Sequence, residues 1–160
     1  MKKQMIGSDN KTAKSMIKSK STKSKPKKVS ISVLQQILDK IFSVYIRIQS
    51  ANQLGFSRCI TCGEMLSWIR MQNGHYIDRR HIVTRYDERN CHPQCSRCNI
   101  GLRGNHEKYK RAIVAKYGVK VLEELESGKR SIVKLTIADY QEKIAYYKGE
   151  VKRMRKEKGL

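Results

Sequence analysis

Cys59-Ile-Thr-Cys62 and Cys95-Ser-Arg-Cys98 are two C-x2-C pairs in a chain of 160 residues. Each pair presents two thiolates from one tight turn. Two such turns complete a closed tetrahedral set suited to a structural Zn2+. Gly63 follows the first pair directly and supports a knuckle turn. The pairs are separated by residues 63 to 94, longer than the commonest zinc ribbon, so a segment is inserted between the knuckles. Metal binding in such a site supplies folding energy, which explains how a stretch poor in apolar residues folds. Cys91, the fifth cysteine, reads as a small apolar filler and not as a fifth ligand.

The insert carries Gly74-His75-Tyr76, Asp78-Arg79-Arg80 and Arg85-Tyr-Asp-Glu-Arg-Asn90, and Asn99 directly follows the last cysteine of the second pair. Phosphodiester hydrolysis needs a base for water, a group that orients the base, and a divalent cation at the scissile phosphate. His75 suits the base. Asn90 is the candidate to fix its tautomer through the side-chain oxygen. Asn99, placed by the adjacent knuckle, offers a carboxamide oxygen, a hard ligand suited to Mg2+ or Mn2+. Arg79, Arg80, Arg85, Arg97 and Arg103, with Arg89, cluster near these residues and are candidate phosphate contacts.

The charge of the whole chain fits a polyanionic partner. Lys and Arg number 35 against 14 Asp and Glu, a formal net charge of +21. Such a balance points to nucleic acid. It excludes an acidic binding module, and no apolar run approaches the length of a membrane span. The start, Met1-Lys2-Lys3, leads into polar residues, which reads against a secretory signal and for a cytoplasmic protein. Residues 1–30 hold ten Lys, six Ser and one Asp, the composition of a disordered basic arm that adds sequence-blind affinity for phosphates.

The elements that position the chemistry are short and mostly helical. Residues 31–58 read as an amphipathic helix and a connection. Ser32 and Gln35 have capping-box spacing, and Val33, Leu34, Ile37, Leu38, Ile41, Phe42, Tyr45 and Ile46 form one wide stripe ending near Ser50. That stripe needs a partner, either the chain's own core or a second copy. Residues 59–105 lose regular periodicity and form the metal-bound core. Residues 106–160 return to helices: Tyr109, Ile113, Val114 and Tyr117 share a face, Gly118 suits a C-cap, and Val119 to Glu126 make a short helix. Thr136 and Asp139 cap a last helix through Ile144, Tyr147 and Val151 into basic residues. The expected fold is a small α+β protein with a zinc-stabilised core flanked by helices.

The His-Asn-Asn pattern with its C-x2-C pairs resembles the HNH, or ββα-metal, nucleases. From about residue 31 to 155 it is more closely similar to the phage NinG proteins, also called Rap, the recombination-adept endonucleases. The residues that carry this are Cys59 to Gly63, Gly74-His-Tyr76, Arg85 to Asn90, His92 to Asn99, Gly104-Asn105, Tyr109, Tyr117-Gly118, Leu122 to Leu125, Thr136 and Tyr147. The resemblance implies a ββα-metal fold and a metal-dependent endonuclease of the host cytoplasm that acts on Holliday junctions and D-loops. It makes His75 the general base, Asn90 the central Asn, and Asn99 the ligand of the catalytic Mg2+ or Mn2+. One departure stands out. Many HNH enzymes carry an acidic or His ligand just before the base, where this chain has Gly74. Asp78, Asp87 and His92 remain as candidates for the second ligand.

Two other functions stay open on sequence. One is a non-catalytic zinc-containing module that binds DNA or RNA, favoured by Gly74. The other is a sequence-specific homing or restriction nuclease, disfavoured because no separate target-reading segment is evident. Resolving a junction requires two opposed cuts, so a homodimer is expected. Recombination proteins are further candidate partners.

Overall fold

The computed structural model describes residues 29–160. The expected basic arm lies, up to residue 28, outside the described residues. Helix α1 spans Ile31–Gln49, and its N-cap is Ser30, whose Oγ accepts from the Val33 N–H at 3.4 Å. This corrects the expected cap at Ser32, which sits within the first turn. Ser30 is the residue with extended backbone before the helix, so its hydroxyl and not that of Ser32 faces the free N–H groups. At the other end, Lys158 Nζ donates to the carbonyls of Ile48, Gln49 and Ala51 at 2.6–3.0 Å. A cation thus satisfies the carbonyls that the end of α1 leaves open.

Strands β1 (Phe56–Arg58) and β2 (Met65–Ser67) pair antiparallel and carry the first knuckle between them. Strand β3 (Gln72–His75) pairs antiparallel with β4 (Cys91–Gln94), with His75 opposite Cys91 and Gly74 opposite His92. The short helix α2 (Ile82–Arg85) lies in the connection between them, and a π-helical turn, Arg97–Gly101, follows β4. Helices α3 (His106–Tyr117), α4 (Val119–Gly128) and α5 (Ile137–Lys158) complete the chain. Gly118 ends α3 at φ 87° and so takes the place expected of it. Helix α4 runs through Gly128 instead of stopping before it. The Thr136–Asp139 box caps α5 as expected, with each side chain bonded to the other residue's backbone N–H.

The α1 stripe is covered by this chain's own α5. Leu34, Leu38, Phe42, Tyr45 and Ile46 pack with Tyr140, Ile144, Tyr147 and Met154. Phe42 sits against Tyr147 with ring centroids 4.9 Å apart and edge-on to Tyr86 at 5.6 Å. Val33 and Ile37, expected within the stripe, are exposed because they lie on its outer edge. Cys91 joins this apolar cluster and is only 1% exposed, and burial pushes its thiol well above the ordinary range. A second cluster joins Tyr76 and Ile77 to Tyr109, Ile113, Leu122 and Leu125 of α3 and α4.

His92 is the buried polar residue of this second region. Its Nδ1 lies 3.2 Å from the Tyr109 hydroxyl and its Nε2 lies 3.0 Å from the Tyr117 hydroxyl. The Tyr109 hydroxyl donates to the Gly74 carbonyl, so it accepts from His92 Nδ1–H, and Nε2 accepts from Tyr117. A neutral ring pairs both of its nitrogens in this way. Burial, and then the Lys116 charge, lower its pKa to about 3. A folded-state pKa below the unfolded value stabilises above pH 6.5, and that stability is lost as pH falls toward 3. Acidification from pH 7 to 5 is expected to cost roughly 2 kcal/mol through this residue. Urea unfolding of wild type and His92→Gln at both pH values checks it: the variant loses less stability between them.

Candidate functional site

Four thiols converge where the two knuckles meet. The Sγ atoms of Cys59, Cys62, Cys95 and Cys98 all lie within 4.8 Å of one another. Zn–S bonds of about 2.3 Å at the tetrahedral angle put sulfurs about 3.8 Å apart. Cys62 and Cys95 are 3.7 Å apart, so the donor set fits Zn2+ in chemistry and in spacing. Local geometry explains the convergence. Gly63 holds φ at +79° and its N–H bonds the Cys59 carbonyl at 2.9 Å, closing the first knuckle. The Asn99 N–H bonds the Cys95 carbonyl at 2.9 Å, closing the second. Burial pushes the Cys59 thiol up, but the Thr61 hydroxyl and the neighbouring backbone N–H groups outweigh it and bring the pKa to about 6. That favours the thiolate at Cys59, the form that binds metal, whereas burial pushes the Cys62 and Cys95 thiols up. Among the described residues this is the one group of three or more His, Cys, Asp or Glu placed to hold a metal ion.

Beside this cluster opens a cleft of about 560 Å³ lined by Gln72, Asn73, His75, Asp78, Arg79, Asn99, Ile100 and Arg103, with Gly104. It brings His75 and Asn99 together. His75 Nε2 lies 3.1 Å from the Arg85 carbonyl oxygen. A carbonyl only accepts, so Nε2 carries the proton and Nδ1 carries the lone pair. Burial lowers the His75 pKa; the Arg85 carbonyl opposes this, and the Arg79 and Arg85 charges add to it. The ring is therefore neutral near pH 7, with one basic nitrogen.

Asn90 does not orient the ring. Its Oδ1 accepts from the Ile77 N–H at 2.7 Å, and its Nδ2 donates to the Ile77 and Thr84 carbonyls at 3.0 and 2.9 Å. The side chain is fully buried and ties the end of β3 to α2, so its expected role is corrected to bracing the loop. The orienting group is the Arg85 carbonyl. Arg85 is itself held in place. Its guanidinium makes a two-pronged pair with Asp39 of α1 at 2.9 and 2.5 Å and donates to the Arg79 carbonyl at 2.7 Å. This corrects the reading of Arg85 as a phosphate contact. Asp39→Ala leaves that half-buried guanidinium without its carboxylate and is expected to cost about 2 kcal/mol. A thermal melt checks it, with a fall of about 4–8 °C.

Asn99 sits mid-way along the π turn, and its Nδ2 donates to Gln72 Oε1 at 2.7 Å, which leaves its Oδ1 unengaged. Asn73 Oδ1 is buried without a hydrogen-bond partner in the same lining. Asn73 and His75 share one face of β3, as alternation requires. Gly74 points to the other face, where a Cβ would come within 2.7 Å of Gln94 Cδ. Gln94 is wholly buried, so position 74 has no room for a ligand. Of the three candidates for the second ligand, Asp78 lines the cleft. Asp87 pairs with Arg89 at 2.8 Å, and His92 is locked between tyrosines on the opposite face. Arg79 and Arg103 line the cleft, and Arg80 and Arg97 are exposed. Arg89 is tied to Asp87 and Glu124. Asn73, Gln72 and Asp39 had no motif to mark them in the sequence.

The family model described as "Bacteriophage Lambda NinG protein" matches residues 2–157. The chain belongs to the NinG family. The match takes in most of the basic arm, which the sequence resemblance had left outside. Protein ninG of Salmonella phage P22 is 32% identical over 93 residues, covering 54% of this chain and 45% of the relative. Protein ninG of Escherichia phage lambda is 31% identical over 93 residues with the same coverage, and that of Escherichia phage 933W is 35% identical over 71 residues. The chain spans less than half the length of these NinG relatives. No solved structure matches. Among the described residues no helix is long and apolar enough to cross a membrane.

Proposed function

We propose that this NinG-family chain is a metal-dependent DNA endonuclease that acts on branched recombination intermediates such as Holliday junctions and D-loops, in the cytoplasm of a phage-infected host. One observation carries the proposal. A neutral histidine, with one nitrogen fixed on a backbone carbonyl and the other basic, shares a cleft with a free carboxamide oxygen and two arginines. In this reading β3, β4 and the π turn make an HNH-like core, and a Zn2+ on the four cysteines holds its two ends together.

His75 Nδ1 takes a proton from the attacking water. The Arg85 carbonyl keeps Nε2 protonated throughout. Asn99 would hold a Mg2+ or Mn2+, with Asp78 and Asn73 as the other oxygen donors of the lining. A cation held by these donors would supply polarisation of the scissile phosphate and stabilisation of the leaving oxygen. Arg79 and Arg103 contact the flanking phosphates and offset charge that grows in the transition state. Two opposed cuts call for a homodimer, visible by sedimentation of the protein on junction DNA. A recombination protein is a further candidate partner.

The test is cleavage of a synthetic four-way junction and a matched linear duplex, each with Mg2+, with Mn2+ and with neither. The expected result is metal-dependent cutting that favours the junction. Equal cutting of both substrates overturns the branched substrate. The second reading, a non-catalytic zinc module that binds nucleic acid, is favoured by the cleft having only one acidic residue in its lining, and binding without cutting would establish it.

A further inference from the structure

The π turn that carries Asn99 and the residue that caps it hold two large apolar side chains out in solvent. Ile100 is 65% exposed and Leu102 is 49% exposed. Ile100 lines the cleft together with His75 and Asn99. These side chains are not exposed by looseness. The Leu102 N–H bonds the Arg97 carbonyl at 2.8 Å, and the Gly104 N–H bonds the Cys98 and Asn99 carbonyls at 3.0 and 2.9 Å. Buried Gln94 donates to the Gly104 carbonyl at 2.8 Å, and Asn105 Nδ2 reaches Cys98 Sγ at 3.6 Å. The segment is braced directly on the cysteine cluster.

Its backbone is also strained. Arg103, Gly104 and Asn105 take φ values of 49°, 89° and 47° in succession. Asn tolerates the left-handed region, but at Arg103 that conformation persists only where the surroundings enforce it. These residues lie just beyond the turn that carries Ile100, and Arg103 lines the cleft with it. Gly101, between the two apolar side chains, has no left-handed φ, and a Cβ there would meet nothing within 4 Å. Neither backbone nor packing asks for glycine at that point. A bare backbone there lets a partner approach closely.

Exposed arginines surround this apolar edge: Arg97 and Arg103 on the same segment, and Arg79 across the cleft. A polyanion with an apolar face matches such a surface, and an unstacked nucleobase flanked by phosphates is that partner. We infer that Ile100, backed by Leu102, is a wedge that packs against the bases laid open at a branch point, with Arg97 and Arg103 on the neighbouring phosphates. This rests on the DNA reading of the cleft and adds what makes the substrate branched. An intact stack offers the wedge no apolar face without unstacking a step, which costs energy that a branch has already spent. Ile100 is thereby a specificity-determining residue.

The experiment uses the zinc-loaded 160-residue chain and a four-way junction carrying 2-aminopurine at the branch, with no Mg2+ or Mn2+ added. Binding of wild type is expected to raise the fluorescence at the branch but not in a matched linear duplex. Ile100→Ser is expected to abolish that rise and to lower the junction-to-duplex affinity ratio about tenfold. Leu102→Ser is expected to act in the same direction by less. Both side chains are exposed, and an unchanged melt and zinc content verify the fold. Fluorescence and affinity ratios equal to wild type in both variants overturn the wedge, and the face then serves another partner such as a protein. A wild-type response without cleavage on later addition of Mg2+ or Mn2+ supports the wedge and overturns the nuclease reading. No binding of wild type to either DNA overturns both.

Discussion

Replacing His75 with Ala is expected to lower junction cleavage by about 10²- to 10⁴-fold, the usual contribution of a positioned base. In the structure the ring's Nε2–H bonds the Arg85 carbonyl. Its loss costs the fold about 1 kcal/mol, so zinc content and secondary structure stay as in wild type. The pH dependence separates a base from a merely structural histidine. A protonated ring cannot take a proton, so the rate rises as pH climbs through the His75 pKa. Burial, with the Arg79 and Arg85 charges, puts that midpoint below the ordinary 6.5. Single-turnover rates across pH check this: wild type shows the rising limb and His75→Ala does not.

Removing the metal from the four cysteines is expected to have the largest effect on stability. The cysteine cluster has its own small apolar neighbourhood, Met71 with Leu66 at its edge. That much burial holds two strand ends and a π turn only weakly. A structural Zn2+ of this kind contributes about 10–16 kcal/mol, against a typical total stability of about 5–15 kcal/mol. Chelation, or Cys95→Ser, is expected to unfold residues 59–105. The α1–α5 pair loses its contacts with Tyr86 and Cys91 but keeps the rest of its core and retains helix. Circular dichroism and a melt before and after complete zinc removal check this. A native spectrum with a native melt would contradict it. Loss of the cluster also releases the bonds that the Gly104 N–H donates to the Cys98 and Asn99 carbonyls, so Arg103 and Ile100 lose their places in the cleft.

The cysteine knuckles were legible because their chemistry needs particular residue types at particular spacing. The Thr136 cap was legible for the same reason, since Thr and Asp three apart bond each other's backbone. The cap of α1 was not, because Ser30 and Ser32 are chemically alike and only the backbone angle at Ser30 decides between them. Asn90 was recognised as important and misread in role. A carboxamide can spend all its bonds on nearby backbone, and here it does so on Ile77 and Thr84. The group that orients His75 had no signature at all, because a backbone carbonyl belongs to every residue. Arg85 was read from its charge as a phosphate contact, and its partner Asp39 lies on a helix distant in sequence. Gly74 looked like a missing ligand. The buried Gln94 across the hairpin fills the space such a ligand would need.

In the proposed function the cleft holding His75 and Asn99 hydrolyses DNA. The most direct measurement is cleavage of a four-way junction by zinc-loaded protein, wild type beside His75→Ala, in Mg2+ and in Mn2+. The expected result is metal-dependent strand cutting by wild type and its loss in the variant at unchanged junction affinity. Tight junction binding by wild type with no cutting in either metal would contradict it.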